Sequence, residues 1–73
     1  SANMSIISTG NENVLAFSLT KERDTLYFVG NCSASPISVK LNIRGTYSDV
    51  FEGKKRSLSN LILAPWEYVL VTN

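Results

Sequence analysis

Histidine is absent from this sequence, and with it goes the residue most often used as general base, triad partner and zinc ligand. Cysteine occurs once, at Cys32, so neither an internal disulfide nor a multi-cysteine metal site can form within the chain. Cys32 lies in a serine-rich turn with no base beside it in sequence, and it reads as a packed or idle thiol. The four glycines are scattered and none leads from a strand into a helix, which leaves no phosphate-cradling loop. No apolar run approaches the roughly 18 residues of a transmembrane helix, and no segment has the basic start and apolar centre of a signal peptide. Charge of either sign is sparse: the net charge is +1, and Lys54, Lys55 and Arg56, beside Glu52, form the single basic cluster. That cluster is a solvated hairpin end rather than a nucleic-acid stripe. A lone thiol suits cytosol and periplasm alike, so localisation stays open.

Six carboxylates remain, at Glu12, Glu22, Asp24, Asp49, Glu52 and Glu67. A glycosidase pair needs two of them facing each other across a sugar, one commonly with its pKa raised by an apolar pocket. Most of these six fall in turn-like stretches, where water keeps a carboxylate ionised. The expectation is a chain with no catalytic residue, no cofactor and no metal. Asn31-Cys32-Ser33 fits the N-x-S glycosylation pattern, a signal that matters only in a secreted eukaryotic protein.

What is present is a β pattern. With 73 residues, of which 44% are hydrophobic, the chain is one small domain that must rely on efficient packing. Residues 1–4, Ser-Ala-Asn-Met, resemble a leader left by an expression vector, and residues 5–73 are taken as a single domain. Apolar residues recur with a period of two, and β-branched and aromatic types dominate. A first strand is expected over Ser5 to Thr9. Over Val14 to Thr20, Leu15, Phe17 and Leu19 share one face of a half-buried strand, and Ala16 and Ser18 the other. Over Thr25 to Gly30 both faces are apolar, as in a central strand. Over Ile37 to Ile43, Ile37, Val39, Leu41 and Ile43 point inward. Further strands are expected over Thr46 to Phe51, Ser57 to Leu63 and Trp66 to Thr72. Pro65 interrupts the ladder between the last two. About seven short strands with turn signals between them predict an all-β fold, a small antiparallel β-sandwich with Greek-key-like connections.

The order of the segments "ENVLAFSL", "DTLYFVGNCSASPISVKL", "GTYSDVFEGKK" and "LILAPWEYVLV" resembles the C-terminal β-sandwich domain of the alpha-amylase family, glycoside hydrolase family 13. The resemblance covers about Gly10 to Val71 and rests on motif order and spacing together. It implies a preceding (β/α)8 barrel as partner, which carries the family's catalytic carboxylates, so none of those residues maps onto this chain. Leu19-Thr20 stands where the family often has an arginine, and Cys32 where phenylalanine is frequent; these departures bear on the subfamily and its substrate linkage.

Trp66 and Tyr68 are the foremost candidate site residues, with Tyr27, Tyr47 and Phe51 competing for the same role. Three uses are open to Trp66 and Tyr68: sealing this domain's own core, docking against the barrel, or stacking on α-glucan. The functional expectation is a non-catalytic accessory domain that covers or stabilises the barrel and aids α-glucan contact. The alternatives are a stand-alone carbohydrate-binding module and an immunoglobulin-like or fibronectin-like interaction module.

Overall fold

The computed structural model describes residues 2–73. It is a small β-sandwich of eight short antiparallel strands, with no helix among the described residues. The strands are β1 (Asn3–Ile6), β2 (Val14–Lys21), β3 (Asp24–Asn31), β4 (Ile37–Lys40), β5 (Thr46–Asp49), β6 (Lys55–Ser57), β7 (Asn60–Leu63) and β8 (Tyr68–Thr72). Six form one sheet in the order β1-β2-β3-β8-β5-β6, and β4 and β7 form a two-stranded ribbon. β3 lies inside the large sheet between β2 and β8, as its two apolar faces predict.

The β2–β3 hairpin sets the register of the large sheet. Its loop is Glu22-Arg23, with Lys21 opposite Asp24 and therefore Phe17 opposite Phe28. Glu22 takes a φ of 57°, the pattern of a type II′ turn, which suits the right-handed twist of paired strands and normally recruits glycine. A non-glycine residue there is held by the eight paired positions of the hairpin behind it.

The core lies between the large sheet and the ribbon. Val14 and Ala16 from β2, Val29 from β3 and Val69 and Val71 from β8 meet Val39 from β4 and Leu61 and Leu63 from β7, with Leu41 and Leu58 filling in. Ile37 and Ile43 pack against this cluster while Ser38, Lys40 and Asn42 are exposed, as the alternation predicts. The buried face of β2 is the one with the smaller side chains, Val14 and Ala16, and the Leu15, Phe17 and Leu19 face points away from the core.

Several expected strands differ: Ile37 to Ile43 closes at Lys40, Thr46 to Phe51 closes at Asp49, and Trp66 to Thr72 opens only at Tyr68. The Ser57 to Leu63 stretch is broken into β6 and β7. In one continuous strand Leu58 would face away from Leu61 and Leu63, because their positions differ in parity. The break at Leu58-Ser59 lets all three reach the core, where Leu58 is fully buried, and Ser57 and Ser59 share a hydroxyl contact of 2.9 Å across it. The first strand is shorter and earlier than expected: Asn3 and Met4 lie in it, opposite Thr20 and Leu19.

Candidate functional site

One face of the large sheet packs on the ribbon; no second layer among the described residues covers the other. Register places Met4 beside Leu19, Ile6 beside Phe17, Phe17 beside Phe28, and Phe28 beside Leu70. Side chains directly opposite share a face, so this outer face carries Met4, Ile6, Leu15, Phe17, Leu19, Leu26, Phe28, Leu70 and Tyr68. Met4 is 59% exposed, Ile6 67% and Tyr68 51%, values that a β-rich interior would not leave without a covering layer.

Across this face runs a row of four aromatic rings. Phe17 and Phe28 stack at 5.1 Å and 16°, Phe28 and Tyr68 at 5.7 Å and 19°, and Phe51 meets Tyr68 edge-on at 5.9 Å and 77°. Gly30 makes the row possible. A Cβ at Gly30 would sit 2.9 Å from Cε1 and 3.0 Å from Cζ of Phe28, so an edge of the ring rests over bare backbone at the position that Leu15 and Tyr68 flank in register. The stacked rings cover one another's faces and present their edges. Such a row suits insertion into a shaped apolar surface better than it suits a pyranose ring, which needs an open flat face.

The four sequence candidates therefore separate. Tyr68 and Phe51 belong to the outer row. Tyr47 faces the other way: it packs against the core, meets Tyr27 at 5.1 Å and 66°, and donates its hydroxyl to the Arg44 carbonyl at 3.0 Å. Burial, followed by the Tyr47 neighbour, pushes the Tyr27 phenol above its ordinary pKa. Trp66 is 66% exposed, which removes the core-sealing use. It also lies before β8 rather than in it. The Glu67 N–H donates to the Ala64 carbonyl at 3.0 Å, Pro65 occupies the second position and Trp66 the third with a φ of 62°, as in a type II turn. The Ala64 N–H donates to Glu67 Oε1 at 2.7 Å, closing the loop. Phe17 and Phe28 join the site without being among the sequence candidates, because only the β2–β3 register brings them side by side.

Among the carboxylates Asp49 is distinct. It is buried at the end of β5, where its Oδ1 accepts from the N–H groups of Glu52 (2.9 Å) and Phe51 (2.8 Å), and its Oδ2 lies 3.7 Å from Arg56. The Glu52 N–H above all, with Phe51 N–H and the Arg56 guanidinium, holds its pKa below the ordinary value against the opposing effect of burial. Asp49 thus caps the turn that carries Phe51, and its carboxylate is committed to that task. Lys54 faces Glu52 at 3.7 Å, and Lys55 donates to Ser48 Oγ at 3.1 Å, so each cation of the basic cluster has a local partner.

Asn31, first residue of the N-x-S pattern, is buried. Its amide nitrogen donates to the carbonyls of Ser35 (2.7 Å), Ala64 (3.0 Å) and Leu63 (3.3 Å), and its oxygen accepts from the N–H and hydroxyl of Ser33. It acts as a structural peg and offers no free amide for a glycan. In comparisons with known proteins, neither a family model nor a curated sequence matches this chain.

Proposed function

We propose that this chain is the non-catalytic C-terminal accessory domain of an alpha-amylase-type glycoside hydrolase, and that its outer sheet face lies against the catalytic (β/α)8 barrel of the same polypeptide. The observation that carries this reading is the uncovered apolar face with its aromatic row. A face of this kind marks a partner surface, and contacts between domains of one chain use areas of about 600 to 1,500 Å². The motif order from "ENVLAFSL" to "LILAPWEYVLV" supports the choice of family. In this role the domain shields apolar surface of the barrel from water and is itself stabilised by the contact.

A second reading, a carbohydrate-binding module, is favoured by one observation: the exposed indole of Trp66 on a closed, rigid turn. Trp66 is the sole tryptophan, so its fluorescence reports directly on sugar binding. Titration with maltooligosaccharides is expected to leave the emission unchanged for an accessory domain and to change it saturably for a binding module. The coding sequence immediately upstream is expected to hold a (β/α)8 pattern, and its absence would overturn the family reading. Measurable α-glucan hydrolysis by the pure chain would overturn the non-catalytic one.

A further inference from the structure

We infer that two copies of this chain pair face to face through the outer surfaces of their six-stranded sheets, forming a symmetric dimer wherever no other partner covers that face. The inference rests on the proposed reading only in taking this face as a surface that is built to be covered; the barrel and a second copy would compete for it.

The face is large enough to hold a dimer. Met4, Ile6, Leu15, Phe51 and Tyr68 are 59%, 67%, 45%, 65% and 51% exposed, and Phe17, Leu19, Leu26, Phe28 and Leu70 are half-buried between them. With large side chains offering about 150 to 250 Å² each, the face presents about 700 Å² of apolar surface per copy, close to the roughly 800 Å² per partner of a stable interface. The largest apolar patch on a typical monomer is about 300 to 600 Å².

The charges on the face also permit self-pairing. The centre of the face carries no ionisable group except the Tyr68 phenol, and the ionic side chains that share the face, Lys21, Asp24 and Lys55, lie at strand ends or on the far edge. Two identical faces therefore meet without like charges at the centre, and a net charge of +1 gives little long-range repulsion. This is the anatomy of an interface, an apolar centre within a polar rim. The same patch meets itself in such a contact, so the assembly closes at two. Geometry allows it, because twisted sheets stack with their strands about 30° apart and aromatic edges can interleave.

Sedimentation equilibrium of the chain over a range of concentrations tests the inference, with two surface variants. Phe51→Glu places a charge in the outer row. Ile62→Glu places one on the opposite side of the molecule, where Ile62 is 76% exposed on the ribbon. The expected result is a mass that rises with concentration towards twice the chain mass, an association weakened roughly tenfold or more by Phe51→Glu, and no such loss for Ile62→Glu. Circular dichroism should show both variants folded, since both positions are exposed; if Phe51→Glu does not fold, Ile6→Glu on the same face replaces it. A single-chain mass at every concentration would overturn the inference and leave the accessory-domain reading standing. Growth beyond two copies, or equal loss in Ile62→Glu, would overturn it as well.

Discussion

The side-chain amide of Asn31 donates to the Ala64 carbonyl at 3.0 Å, tying the last residue of β3 in the large sheet to the corner that follows β7 in the ribbon. Backbone bonds run alongside: the Asn31 N–H donates to the Glu67 carbonyl at 2.8 Å, and the Trp66 N–H to that of Ser33 at 3.2 Å. One buried side chain thus holds the two layers together at one end of the sandwich, where no apolar residue could satisfy the converging carbonyls.

Asn31→Ala should accordingly be among the most damaging polar substitutions in the chain. It leaves the Leu63, Ala64 and Ser35 carbonyls short of a donor, and a buried group without its partner costs about 1 to 3 kcal/mol. A loss of about 2 kcal/mol is expected, visible as a melting temperature lowered by about 10 °C in a domain this small. Asn31→Asp should be worse, because it turns a carboxylate toward carbonyl oxygens. Thermal melts of the two variants against the parent check both statements; equal stability would show that the peg is dispensable.

Gly30→Ala tests how the aromatic row is built. The new Cβ would collide with the far edge of the Phe28 ring, which can swing away, so the fold should survive with a modest loss. The stacking of Phe28 on Phe17 and Tyr68 should not survive. The expected outcome is a changed near-ultraviolet dichroism spectrum, a nearly unchanged far-ultraviolet spectrum and weaker self-association. An unaltered near-ultraviolet signal would show that the ring does not depend on bare backbone beneath it.

Much of this architecture was legible in the period of the apolar residues, and the parts that were not have definite causes. Ile37, Val39, Leu41 and Ile43 turn inward as their alternation requires. β2 offered no such choice: Val14 and Ala16 alternate with Leu15, Phe17 and Leu19, and which side meets the ribbon depends on where β4 and β7 settle, far away in sequence. The Leu58 break shows in parity once Leu61 and Leu63 are assigned inward. Tyr68 and Phe51 stood out as aromatics in the sequence, whereas Phe17 and Phe28 become neighbours only when the two-residue loop at Glu22-Arg23 sets the register. Trp66 was expected to open the last strand; its positive φ, imposed by the turn after Pro65, delays β8 to Tyr68.

Acid should loosen the turn that carries Phe51. The folded-state pKa of Asp49 lies below its ordinary value, because the Glu52 and Phe51 N–H groups and Arg56 favour the carboxylate. A depressed acidic pKa contributes stability that is fully present above the unfolded value, near 3.8, and is lost as pH falls through the folded one. Asp49→Asn should therefore be less stable than the parent at neutral pH, and the gap should narrow below about pH 4. Urea titrations of both proteins across that range are the measurement. A gap independent of pH would mean that the carboxylate charge takes no part.

Trp66→Gly separates what the fold needs from what a ligand or partner would use. The indole is 66% exposed and has no aromatic neighbour within the row, so its removal takes little from the core. Its φ of 62° is a conformation that costs a side-chain-bearing residue about 1 kcal/mol or more and costs glycine almost nothing. Glycine also loses more freedom on folding, which offsets part of that gain. The expected result is a melting temperature equal to the parent's or higher by a few degrees. A large destabilisation would show that the indole packs on this domain. If stability is kept, the strain at Trp66 is maintained for something outside the fold, and the maltooligosaccharide titration should then be repeated with any partner that covers the outer face.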